Sequence, residues 1–323
     1  MARFAAACAC AVAMMMACGA GLTPARAEYP DHNIDLIIPY GPGGGFDLYA
    51  RAVAKEMEAQ LPKGITVVPR NVPGAASIKG IATMYRAEPD GYTMGIIDLP
   101  GAVVPEIVGE RPSYDLDKVT WLGLVNIGVY SLVVGKSSRF QTLEALQHVQ
   151  GDPPFISTTG STDLAIAKIT TAALQIKAKF LTGYTGGPDA QLAIIRGESD
   201  VGLGMDVTIA KYLKSGDLKQ LAWFQKRGAR DTPTGVPTAD DLGHPELANL
   251  GLYRMFAAPP GLPPDVKAKL VGLVQTALHS PDLAAWSRKA DFPLDLGTPE
   301  QARSLYADQK TFLEKYKTLL ATQ

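Results

Sequence analysis

Three short turns carry the residues best suited to chemistry. Residues 39–47 read PYGPGGGFD, residues 157–162 read STTGST, and residues 184–189 read YTGGPD. Each follows a short apolar run and precedes a stretch with helical spacing. A helix N-terminus leaves backbone N–H groups without intrahelical partners, and its dipole favours negative charge. Gly43, Gly44 and Gly45 lack a Cβ, so a ligand can approach that backbone closely. The chemistry offered is capture of a small anion, such as a carboxylate, by backbone donors. Asp47 fits an N-cap of the helix that follows. The Ser/Thr turn reads equally well as helix capping, and each glycine turn as a plain connector.

Enzymatic motifs are missing from these turns. A phosphate-binding P-loop requires Lys and then Ser or Thr after its last glycine, but Phe46 and Asp47 follow here. From Gly41 the string is G-P-G-G-G-F, which breaks the dinucleotide fingerprint at its sixth place. His32, His148, His244 and His279 are scattered and share no metal-ligand spacing. No G-x-S-x-G elbow appears. The expectation is no cofactor, no metal and no catalytic centre. Asp98 and Asp206 each end an apolar run, so either could line a cleft or cap a turn.

The elements that must position these turns alternate. Residues 34–38, 66–68, 92–97, 130–134, 155–157, 180–181, 201–203 and 221–224 read as strands, with helical spacing between many of them. The pattern predicts an α/β fold with mainly parallel sheets, which bind ligands beyond the carboxyl ends of their strands. Thr298-Pro299-Glu300-Gln301 and Ser280-Pro281 mark helix starts, and Gly216 marks a stop. Ala302, Leu305, Tyr306, Phe312, Leu313, Tyr316 and Leu320 give the last helix an apolar face that should pack on a domain. No Pro/Gly-rich linker splits the chain, so two lobes would be entered and left more than once. The extended segments 129–135 and 250–258 are the candidate crossings.

Residues 1–27 read as a secretory leader. Arg3 gives a positive start, an Ala-rich apolar run follows, and Ala25-Arg26-Ala27 is a small-x-small cleavage site. A membrane anchor and lipid attachment at Cys18 are the alternatives. Cleavage would remove Cys8, Cys10 and Cys18, leaving no cysteine for a disulfide, a metal or a nucleophile. It would also take the formal net charge from −1 to −3, as Arg3 and Arg26 leave. With no basic block in the chain, nucleic acid is excluded as a partner. The composition, 46% hydrophobic and 20% charged, is that of a folded chain.

The motifs gain specificity as an ordered set. PYGPGGGFD, NVPGAAS (71–77), PDGYTM (89–94), YTGGPDAQL (184–192), KSGDLKQLA (214–222), GVPTADDLG (235–243) and AAPPGLP (257–263) resemble, in order and spacing, the tripartite tricarboxylate transporter receptors, the TctC-like or Bug proteins. The resemblance implies a periplasmic solute-binding protein of Venus-flytrap, type II-like fold. Residues 28–130 with 250–323 would form one lobe and 131–249 the other. It implies a monomer that traps a small organic acid and passes it to the membrane subunits of a transporter. A ligand-sensing receptor docked on a signalling partner shares that fold, and a secreted enzyme is a further alternative. By position, the resemblance implies ligand contacts from Tyr40, Pro42, Gly43–Gly45 and Asp47, from Ala76, and from the turn at Asp98. Thr158, Thr159, Gly160 and Ser161 would line the same cleft, with Tyr184, Thr185, Gly186, Gly187 and Asp206. The chain departs from the family at Gly74-Ala75-Ala76, where a second glycine turn is common. It also departs at Asp163, where His is usual, and at Tyr253-Arg254-Met255, where Trp is common. Asp98 would disfavour a plain tricarboxylate and tune selectivity among monocarboxylates, amino acids and aromatic acids.

Overall fold

A computed structural model describes residues 29–184, 186–229 and 232–321. The expected leader and its cleavage site, Thr185, and the side chain of Ser161 lie outside the described residues. The described residues include nine strands of one sheet: β1 Ile34–Ile38, β2 Val67–Asn71, β3 Thr93–Leu99, β4 Thr120–Gly135, β5 Phe155–Ser157, β6 Lys179–Leu181, β7 Val201–Met205, β8 Leu218–Trp223 and β9 Gly251–Ala258. Their order is β2-β1-β3-β9-β4-β7-β5-β6, with β8 also on β4.

Two half-sheets share β4. Its first part, Thr120–Val129, pairs with β9, and its second part, from Tyr130 to Gly135, pairs with β7 and β8. Among the described strands only β4 runs through both halves. The other segment read as a crossing, β9, pairs with β3 and with the first part of β4, wholly inside the first half.

The sheet is less parallel than the sequence suggests. β1 is parallel to β2 and β3, and β5 is parallel to β6 and β7. Every pairing of β4 and β9 is antiparallel. These two strands are buried almost end to end and mostly apolar, and an apolar run does not reveal strand direction. The stretch Thr120–Val129 is a strand that the apolar pattern does not announce. Register shifts at Trp121/Gly123 and Leu124/Asn126 interrupt its alternation, and it carries two glycines and a buried Asn126.

The 14-residue helix Gly45–Glu58 buries Phe46, Tyr49, Val53 and Met57 and packs on β2 and on the helix Pro264–Leu278. Each large apolar side chain so buried contributes about 1.5–3 kcal/mol. The predicted capping box forms: the Thr298 hydroxyl accepts from the Gln301 N–H, and the Gln301 side chain accepts from the Thr298 N–H. Ser280 caps its helix as expected. The last helix divides into Pro299–Glu314, which docks on β4, and Lys317–Ala321, which touches the helix Ser161–Ala173 of the second half.

Candidate functional site

All three turns end parallel strands, β1, β5 and β6, and open helices Gly45–Glu58, Ser161–Ala173 and Gly187–Arg196. The N-cap residues are Gly44, Gly160 and Gly186, and none supplies a side-chain cap. The three N-termini open on one cleft of about 470 Å³ between the half-sheets, within the range of small-molecule sites. First-turn N–H groups and the positive dipole ends of three helices make that cleft attractive to anions.

The first wall consists of Tyr40, Pro42, Gly44, Gly45, Phe46 and Ala76, with Arg254 on β9. Gly43 has φ +82° and turns its N–H inward to the Asp47 carboxylate at 2.9 Å. That donor is therefore occupied inside the loop rather than offered to the cleft. Asp47 is not the N-cap the sequence suggested. It sits in the first turn of the helix, is 3% exposed, and lies outside the cleft lining. It also accepts from Arg51 and from Asn71 at 2.9 Å. Burial opposes its ionisation, but the bonds from Arg51, Gly43 and Asn71 outweigh that and hold its carboxyl below the ordinary range. Ala75, Ala76 and Ser77 follow one another at positive φ, a strained turn of the kind found at functional sites.

The second wall carries Thr159, Gly160, Thr162 and Asp163, then Gly186, Gly187 and Gln191. The Tyr130 hydroxyl donates to Asp163 at 2.8 Å, and the Thr159 hydroxyl donates to the same carboxylate. Burial, then Asp163, pushes the Tyr130 phenol well up. Gln191 donates to the Leu203 carbonyl and leaves its buried Oε1 without a hydrogen-bond partner.

Other expected contacts lie off the cleft. Asp98 is fully buried beneath it; Oδ2 accepts from Thr162 at 3.2 Å, while Oδ1 has no partner. Burial pushes the Asp98 carboxyl up, and the nearby Ser77, Tyr40 and Thr162 hydroxyls offset this only in part. Because Thr162 belongs to the second half, this bond joins the two halves. Thr158 is spent on the Leu181 carbonyl, through its N–H and its hydroxyl. Tyr184 is absent from the lining, and Asp206 lines a neighbouring pocket of about 350 Å³ with Trp223 and Arg288. Among the described residues no group of three His, Cys, Asp or Glu could hold a metal. His32 and His244 pair with Asp31 and Glu246, their neighbours in sequence.

Arg254, which the sequence marked as a departure from the family pattern but not among the expected contacts, is the principal further cleft residue, along with Tyr130 and Gln191. Its signal was present as one charge inside GLYRMFAA, an otherwise apolar strand whose eight residues are all buried. A charge there requires a reason.

Comparison with known proteins places this geometry. The sequence pattern of the tripartite tricarboxylate transporter family receptor (TctC) matches residues 49–320. Protein BugT of Bordetella pertussis (strain Tohama I) is 26% identical over 294 residues, covering 88% of this chain and 89% of that protein. The periplasmic binding protein BugD superposes with a TM-score of 0.76 at 22% identity, over 90% of this chain and 98% of BugD. MatC from Rhodopseudomonas palustris, solved with bound malate, superposes at 0.74 with 21% identity, over 90% of this chain and all of that one. The fold is thus the two-lobe α/β architecture of the periplasmic binding proteins.

Proposed function

The chain belongs to the tripartite tricarboxylate transporter receptor family, and from that premise we propose that it is a periplasmic receptor for a small organic acid. The single observation that carries this reading is the convergence of three glycine-started, uncapped helix N-termini on one cleft. Relatives of this fold bind small molecules rather than transform them, and MatC holds malate. The acid enters between the walls and a carboxylate settles on backbone donors of the Gly44–Gly45 turn. The second wall then swings in about β4, near Val129–Tyr130, and brings Gly160 and Gly186–Gly187 onto the ligand. Closure requires that the ligand bind the closed arrangement better than the open one. The closed receptor delivers the acid to the membrane subunits of a tripartite tricarboxylate-type transporter. No helix among the described residues is long and apolar enough to cross a membrane. Export rests on the leader at residues 1–27, which an intact mass beginning at Glu28 would support.

The test is a thermal-shift screen on refolded protein with mono-, di- and tricarboxylates, amino acids and aromatic acids, each beside its amide, and with neutral sugars. A ligand at 100 times its dissociation constant adds about 2.7 kcal/mol, an easily visible shift. Acids are expected to raise Tm and their amides to leave it unchanged. A response to neutral sugars alone would contradict the reading.

A further inference from the structure

Arg254 is a charge that the fold itself does not use. It is 1% exposed. It donates through Nη1 to Asn126 Oδ1 and leans through Nη2 on Met205 Sδ at 3.8 Å. Its guanidinium carbon lies 4.9 Å and 5.3 Å from the ring centres of Phe46 and Tyr49. Its buried Nε has no hydrogen-bond partner. Asp98 stands directly opposite on β3, yet its carboxylate is bonded to Thr162 instead. Asp206, which lines the neighbouring pocket, adds a negative field at Arg254. No ion pair of Arg254 is found among the described residues.

Taking an ion out of water costs several kcal/mol, and an anion in contact repays it. Asn126, a thioether and two aromatic faces fix the guanidinium in place without neutralising it. Its position supplies the missing term. Nη2 lies 3.2 Å from where a Cβ on Gly45 would stand. Glycine at 45 therefore lets the planar fork rest against the N-terminus of helix Gly45–Glu58, so fork and first-turn N–H groups border the same part of the cleft.

We propose that Arg254 is the specificity-determining anchor of this receptor, and that its guanidinium takes a carboxylate of the ligand in a direct ion pair beside the Gly44–Gly45 turn. The proposal rests on the binding reading above and adds to backbone capture a fixed charge that an amide cannot answer. A bidentate pair of this kind also fixes the orientation of the acid.

The experiment is titration calorimetry with malate, adipate, glutamate and benzoate, each beside its amide, on the wild type, Arg254→Met and Arg254→Lys. Melting of the ligand-free proteins is measured in parallel. The wild type is expected to bind at least one acid in preference to its amide. Arg254→Met should weaken that acid between about 10- and 100-fold and shrink the acid-over-amide preference equally. Its ligand-free Tm should hold or rise, because an unpaired buried charge has been replaced by an apolar chain. Arg254→Lys should recover only part of the affinity, since an ammonium lacks the fork. Equal affinity of the wild type and Arg254→Met for the same acid overturns the proposal and leaves the binding reading standing. A wild type that binds none of the acids removes both.

Discussion

The Gly44–Gly45 turn and the Gly160 turn do the same job on opposite walls: each ends a parallel strand and opens a helix without a side-chain cap. What lies beneath them differs. Under the first, buried Asp47 gathers Gly43, Arg51 and Asn71 around one carboxylate, and the aromatic rings of Tyr40 and Phe46 stack at 4.5 Å. Under the second, half-buried Asp163 is held by the Tyr130 and Thr159 hydroxyls and by a long 3.4 Å bond from the Thr159 N–H. The second half also carries a small satellite core, Val133, Ile194, Ile209 and Leu218, separate from the main one. The first wall thus stands on a fully buried carboxylate and stacked rings, the second on a half-buried carboxylate. Preorganising one side lowers the ordering cost of binding, and a compliant partner accommodates differences in ligand length.

Matched substitutions should expose that asymmetry, and the largest effect belongs to the carboxylates. Asp47→Ala removes a fully buried carboxylate with three donors and should cost about 3 kcal/mol of stability, whereas Asp163→Ala removes a half-buried one and should cost about 1–2 kcal/mol; urea denaturation of both reads the difference. Equal losses would erase the distinction between the walls. Acid sharpens the same contrast. The folded-state pKa of Asp47 is lowered, so its stabilisation is present above the ordinary carboxylate value and is lost as pH falls through the lowered value. Asp47→Asn should therefore flatten the acid limb of Tm against pH.

The next effect is at glycine. Gly43 has φ +82°, so Gly43→Ala should cost about 1–2 kcal/mol. Gly160 is extended at φ 178° with nothing within 4 Å of an added Cβ, so Gly160→Ala should change stability by under about 0.5 kcal/mol. Thermal melts of the two variants give the comparison directly.

The smallest effect is expected where the halves touch. Burial raises the folded-state pKa of Asp98, so rising pH between its ordinary value and its raised one removes stability. Asp98→Asn should melt higher than wild type at neutral pH, by less than about 1 kcal/mol, and lose that advantage on acidification below the ordinary carboxylate range. A variant that melts lower at neutral pH would mean that the ionised carboxylate is the favoured partner of Thr162.

The residues that start helices and end parallel strands were legible in the sequence, because their signals are local. The bounds of β1 and β5, the Thr298 box and the stop at Gly216 follow from a few adjacent side chains. The glycine turns were recognisable as helix-opening turns at strand ends for the same reason. What depended on register was not. Arg254 reaches the cleft because β9 lies between β3 and β4 and because Gly45 makes room for it, and neither relation is written near residue 254. The same limit misplaced Asp206. It ends an apolar run as a cleft residue would, yet it faces the neighbouring pocket. Asp47 resembled a cap because its partners, Gly43 four residues before it and Asn71 in another strand, are outside the reach of a capping pattern.

The place of β9 has a consequence for the order in which the molecule can be made. The strands β5 to β8 all lie between β4 and β9 in sequence, so every strand of the second half-sheet is available once residue 223 is made. The first half-sheet has a gap between β3 and β4 that only residues 251–258 can fill. A chain growing from its N-terminus therefore holds every strand of its later half-sheet before the earlier one is whole, and leaves β1 to β3 waiting for a strand from near the end. That late strand also brings Arg254, so the charge on the first wall arrives with the last piece of the sheet, and a chain cut short before it has a cleft without its cation.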